Sequence, residues 1–237
     1  MDIEIESALP ELPETGAPPP PTVNASPARL LLVRHGQSTW NREHRIQGQQ
    51  DPRLSDEGRG QAARLGRRLL GRRLAGCYSS DLRRAFETAE VIAATTGVDP
   101  EPMAGLREIQ LGGWEGLRSE EIAERYPDAW ASWTREPDWD LVPGAEGAAF
   151  FEARVAAALD AILERHQHGD VLVVTHGGVI QVALHRVVGR PSRGLFPFKI
   201  QNASITLLER RNGHLIIGGV NDTSHLEPAL VSEPGPG

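Results

Sequence analysis

Two short apolar runs in this chain each end in a histidine followed by glycine, and that repetition constrains the fold more than any other feature. The first is Leu31-Leu-Val-Arg34-His35-Gly36-Gln-Ser-Thr-Trp-Asn41, and the second is Val171-Leu-Val-Val-Thr-His176-Gly177-Gly178-Val-Ile. Continuous aliphatic and β-branched runs of this length read as strands buried on both faces, the signature of a parallel sheet. In open α/β sheets reactive groups gather just beyond the carboxyl ends of such strands. If the two strands are neighbours, His35 and His176 share one crevice. Arg34 adds a planar fork of donors suited to phosphate oxygens. Gly177 and Gly178 open a helix whose first N–H groups lack intrahelical partners and so favour an anion.

Between these units, Tyr78 to Glu90 reads as a strand end followed by a helix that Ser80 or Asp81 can cap. Leu82, Ala85, Ala89 and Ile92 mark its buried stripe at helical spacing. Arg84 lies beside the stripe and can reach back to the strand ends; Arg83, one step further round, is the competing choice. Leu106 to Gly116 is polar, glycine-rich and without period, so it reads as a loop carrying Glu108 and Glu115. Each carboxylate has a plain reading as a salt-bridge partner. Glu108 becomes a general acid if a desolvated site keeps it partly protonated.

The remaining pattern alternates β and α. A helix starts at Ser55, with Ala62, Leu65, Leu69 and Leu70 on one face and Arg64, Arg67, Arg68, Arg72 and Arg73 on the other, a basic face read as solvated. A second helix runs from about Ala148 to His166, and Arg210-Arg-Asn-Gly213 marks a hairpin between Ala203–Glu209 and His214–Val220. The stretch Ser119–Pro143, with Tyr126, Trp130, Trp133 and Trp139, is read first as a helical subdomain that buries its rings, with a lid over the substrate tail as a second, compatible reading. His166 and His168 sit at a helix end, where histidine complements the dipole.

The chain has 237 residues and 39% apolar composition, enough for one α/β domain. Its single cysteine, Cys77, is read as a core residue. A net charge of −7 argues against nucleic acid or an anionic membrane as partner. Residues 1–27 are read as a disordered Pro-rich tail with no secretory leader and residues 231–237 as a loose end, leaving the domain at 28–230 and the default compartment cytoplasmic.

Taken in order, Arg34-His35-Gly36, Ser80-Asp-Leu-x-Arg84-Ala, Leu106-x-Glu108-Ile-x-x-Gly112-x-Trp114-Glu-Gly116 and Thr175-His176-Gly-Gly178 resemble the histidine phosphatase superfamily, also called phosphoglycerate mutase-like. Arg45-Ile-Gln-Gly48, Leu54-Ser-x-x-Gly58, Pro143-Gly-x-Glu146 and Asn202-Ala-Ser204 extend the similarity from Arg29 to Leu226. The resemblance implies a three-layer α/β/α sandwich whose mostly parallel central sheet carries an antiparallel edge strand. It also implies His35 as nucleophile, Arg34, Arg84 and His176 as the phosphate pocket, and Glu108 as proton donor. Asn41, Gln47, Gly48 and Gly177 fall at positions that hold phosphate or substrate in similar proteins. No metal and no cofactor are expected, since a neutral imidazole can attack phosphorus unaided and His176 can be protonated to meet the developing charge.

Three functions are weighed: a phosphomonoester phosphatase acting on a sugar phosphate or phosphoglycerate-like metabolite, a phosphoglycerate-type mutase, and a non-catalytic phospho-ligand-binding module. Mutases of the family carry a longer insertion between the acid and the second histidine than the 176 − 108 = 68 residues here. Trp114-Glu-Gly116 also looks like the phosphatase branch, so hydrolysis is favoured. Arg53 is read as an exposed loop residue or a contact for a second anionic group. Gly147 stands where relatives often have Ser. A homodimer is left open.

Overall fold

The structure, a computed structural model, describes residues 27–194 and 197–227; the two tails expected at the ends lie almost wholly outside them. Strand β1 (Arg29–Arg34) leads through a one-turn helix α1 (Thr39–Arg42) and α2 (Asp56–Leu69) to β2 (Leu74–Ser79), α3 (Arg83–Thr96) and β3 (Glu101–Pro102). Two short helices, α4 (Ser119–Arg125) and α5 (Pro127–Arg135), precede α6 (Ala148–Arg165), β4 (Asp170–Thr175) and α7 (Gly177–Val188). The hairpin β5 (Ile205–Arg211) and β6 (His214–Asp222) completes the sheet, whose order is β3-β2-β4-β1-β5-β6.

Strand alternation explains the layers. Leu31 and Val33 of β1, with Leu172 and Val174 of β4, pack against Leu65 and Leu69 of α2 and Ala85, Ala89 and Ile92 of α3. Leu30, Leu32, Val171 and Val173 face the other way, onto Phe151, Val155, Leu159 and Ile162 of α6 and Val179 and Ile180 of α7. The sandwich is therefore α2/α3, sheet, α6/α7, and every residue of β4 is buried. Because β4 and β1 pair in parallel with Arg34 opposite Thr175, His35 and His176 leave the sheet side by side.

Four local expectations need correction. The reversed strand is β5, which pairs antiparallel with both β1 and β6, so the edge strand β6 runs in the direction of β1. Leu70 is not on the buried face of α2: the helix ends at Leu69 and Leu70 is 67% exposed. Neither Ser80 nor Asp81 is the cap residue of α3; that position is Leu82, and the first N–H of the helix, on Arg83, is taken by the Asp51 carboxylate at 2.6 Å. His166 closes α6, but its ring is used sideways, with Nε2 hydrogen-bonded to the Tyr78 hydroxyl at 2.8 Å. Trp139 is buried with Trp114, while Trp130 and Trp133 pack on them edge-on or tilted. Cys77 is buried in the core, where desolvation pushes its thiol up to about 12. Among the described residues no helix is long and apolar enough to cross a membrane.

Candidate active site

The carboxyl ends of β1, β2 and β4 converge on a cavity of about 240 Å³, lined by Arg34, His35, Asn41, Gln47, Gly48, Arg84, Glu108 and Gly177 together with apolar residues that include Trp139, Phe198 and Ile200. A larger hollow between α6, α7 and the β5–β6 hairpin holds none of the expected site residues. His35 follows β1 in a turn so tight that a Cβ on Gly36 would lie 2.5 Å from the Gly58 carbonyl oxygen, which restricts that position to glycine.

The His35 ring is fully buried, and its Nδ1 lies 2.7 Å from the Gly36 carbonyl oxygen. A carbonyl only accepts, so Nδ1 carries the proton and Nε2 keeps its lone pair. That lone pair accepts from Arg84 Nε at 3.3 Å. Burial first, then the Arg84 and Arg34 guanidiniums, hold the imidazole well below its usual 6.5. The His176 ring stands 5.1 Å away, centroid to centroid, and is lowered well below 6.5 by burial, then Arg84. His176 is thus neutral at pH 7, and the burial and the arginines that lower it oppose the protonation expected to be open to this ring. Its Nε2 is 2.8 Å from Ser80 Oγ, which fixes the ring, while its Nδ1 is buried with no hydrogen-bond partner among the described residues.

Arg84 projects from the first turn of α3 and is buried, with Nη1 on the Gln50 carbonyl at 2.7 Å and Nη2 on the Gly48 carbonyl at 2.8 Å. Desolvation pushes it down to about 10, still a cation at neutral pH. Arg83 pairs with Glu87 on the surface, which settles the choice between the two arginines. Arg34 donates from Nη1 to the Ile200 carbonyl at 2.7 Å and leaves Nε buried and unpartnered. Buried donors of this kind are rare unless a ligand completes them.

Glu108 is placed by α7: Oε2 accepts from the Gly178 N–H at 3.1 Å and Oε1 from the Ile109 N–H at 3.0 Å. The helix start expected to receive a phosphate therefore holds the Glu108 carboxylate, and Gly177 alone lines the cavity. Asn41 caps α1 against Ser38 and receives Asn202 Nδ2 at 3.2 Å; Gln47 Oε1 accepts from Ser38 Oγ at 2.7 Å. Glu115 is occupied by the N–H groups of Gln49 and Leu111, both at 2.9 Å, so it braces a loop. Arg53 is exposed and neither it nor Gly147 is among the cavity-lining residues. His225 hydrogen-bonds the Ala203 carbonyl at 2.9 Å. Among the described residues no group of three His, Cys, Asp or Glu side chains could hold a metal ion.

Sequence reasoning missed Ser80 as the partner of His176, because its position before a helix pointed to capping.

A sequence model of the histidine phosphatase superfamily, branch 1, matches residues 30–223. The chain belongs to that superfamily. It is 37% identical over 212 residues to phosphoglycerate mutase-like protein 4 of Arabidopsis thaliana, covering 88% of this chain and 91% of that one. A metal-independent phosphoserine phosphatase of Arabidopsis thaliana is 36% identical over 208 residues, covering 86% and 85%. The solved structure of mycobacterial glucosyl-3-phosphoglycerate phosphatase with VO3 is 32% identical at a TM-score of 0.73, covering 82% of this chain and 99% of that one. These relatives cover more than four fifths of the chain, and the solved structure shares its fold.

Proposed function

We propose that the protein is a metal-independent phosphomonoester hydrolase that works through a phosphohistidine on His35. The observation that carries this reading is the His35 ring itself: the proton on Nδ1, an unprotonated Nε2 that accepts only the long contact from Arg84, and an unpartnered His176 Nδ1 on the neighbouring ring. The relatives named as phosphoserine and glucosyl-3-phosphoglycerate phosphatases support it.

In the first half-reaction the His35 Nε2 lone pair attacks phosphorus and the bond to the ester oxygen breaks, with Glu108 giving its proton to that leaving oxygen. Arg34, Arg84 and His176 meet the charge on the equatorial oxygens, so no ion is required for that task. Water then attacks the phosphohistidine, Glu108 takes its proton back, the N–P bond breaks and inorganic phosphate leaves. The substrate is a small phosphorylated metabolite, with Asn41, Gln47 and Gly48 around the phosphate end.

Transfer of the phosphoryl group to a second hydroxyl is the alternative, supported by the mutase-like relative. A panel of phosphate esters separates the two. Release of inorganic phosphate in EDTA, inhibited by vanadate as a five-coordinate mimic of the transition state, is expected. Isomerisation of phosphoglycerate without phosphate release would replace hydrolysis by mutase chemistry.

A further inference from the structure

We propose that Arg154, seated on Glu146, is a positioning residue that holds Glu108 in place for proton transfer; the proposal rests on the reading of Glu108 as the acid. Arg154 projects from α6, outside the cavity lining, with a side chain only 16% exposed and its partner Glu146 7% exposed. All five guanidinium N–H donors are engaged. Nε and one Nη2 proton meet the two Glu146 oxygens at 2.8 and 2.6 Å. The other Nη2 proton meets the Glu108 carbonyl at 2.7 Å, and Nη1 meets the Arg107 and Gly105 carbonyls at 2.7 and 3.2 Å.

The carbonyl between these, on Leu106, accepts from Thr175 Oγ1 at 2.8 Å. Four consecutive carbonyls, from Gly105 to Glu108, are thus each held by a fixed side-chain donor. Beyond a single 3-10 turn at Ala104–Leu106 the segment has no helix or strand ladder, so these donors satisfy its carbonyls and set its geometry. Glu146 extends the clamp by accepting from the Gln110 N–H at 2.8 Å.

The clamp also reaches the carboxylate. Arg154 lies over the Phe151 ring at 4.8 Å, and that ring packs against Gly178, the residue whose N–H holds Glu108 Oε2. Backbone and side chain of Glu108 are therefore referenced to one guanidinium. Lysine keeps the charge but has three donors and no planar fork, so it cannot span the Glu146 oxygens and three carbonyls together.

The test compares Arg154→Lys, Glu146→Gln, Glu108→Gln and the Arg154→Lys/Glu108→Gln double variant on an alkyl phosphate and on nitrophenyl phosphate, whose leaving group needs no proton. Arg154→Lys is expected to lower kcat on the alkyl ester on the order of 10-fold or more, with a smaller loss on the nitrophenyl ester and an unchanged inhibition constant for vanadate. In the Glu108→Gln background the same change adds nothing to the ratio between substrates. Glu146→Gln shows the same selective loss, and supplies the test if Arg154→Lys does not fold. Equal losses on both esters, or weaker vanadate binding in proportion, overturn the positioning role. If Glu108→Gln itself leaves the substrate ratio unchanged, the acid assignment fails instead.

Discussion

His35 and His176 share the same electrostatics, and the proposed mechanism gives them opposite jobs. Burial and Arg84 keep both neutral, which suits a nucleophile and leaves His176 as a hydrogen-bond donor or acceptor until a phosphate dianion enters. The proposed mechanism requires neutral His35 for attack, so the acid limb of kcat/KM is expected below pH 6.5, with activity falling as pH falls through it. The same shifts act on stability. In the unfolded chain these rings titrate near 6.5 and in the fold well below it, so below 6.5 the unfolded chain binds more protons and stability drops with pH. Melting temperatures between pH 7.5 and 5 should decline less steeply in His176→Asn than in the wild type; parallel slopes would remove His176 from the acid sensitivity. Glu108→Gln should cost on the order of 10² in kcat on alkyl phosphates and clearly less on nitrophenyl phosphate. Equal factors would make Glu108 an electrostatic residue only. At this scale His35 and Arg84 were legible as candidates because one follows an apolar strand and the other opens a periodic helix, whereas Glu108, in a loop without period, was singled out by the family resemblance. The neutrality of His176 was not, since it depends on burial and on an arginine from another segment.

Helix α7 is where one element serves both packing and chemistry. Its apolar residues Val179, Ile180 and Leu184 are buried against the sheet, and its first turn presents Gly178 to Glu108. A Cβ on Gly178 would sit 2.3 Å from Glu108 Oε1 and 3.2 Å from the Phe151 ring. Gly178→Ala is therefore expected to displace the carboxylate and lower kcat on alkyl phosphates on the order of 10-fold or more with the fold intact; unchanged kcat would detach Glu108 from the helix start. Phe151→Ala, in a fully buried position, should cost about 3–5 kcal/mol by chemical denaturation. Elements were readable where the signal is local: an apolar run, then His-Gly, then a periodic helix. The cap of α3 and the clamp on the Glu108 loop were not, because Asp51 and Arg83 are 32 residues apart and Glu108 and Arg154 are 46 apart. The reversed β5 was foreseen as antiparallel but misplaced at the edge, since a hairpin signal does not say which of its strands joins the sheet first.

For the whole molecule, the sheet order puts β4 and β1 at the centre and the reactive groups of three strands at one end. Helices on both faces exclude water from beneath the site, so the arginines act in a medium where charge is weakly screened. In the proposed mechanism protein groups supply the positive charge at phosphorus, so turnover should be unaffected by chelators; activity lost in EDTA and restored by magnesium or zinc would oppose this. The covalent intermediate on His35 is the central step of the proposed reaction. Rapid mixing with a labelled phosphate ester and quenching in base should trap a phosphoenzyme that is stable in alkali, labile in acid and mapped to His35, and absent in His35→Ala. Label found in His35→Ala at the wild-type level, or hydrolysis by that variant at the wild-type rate, would contradict it.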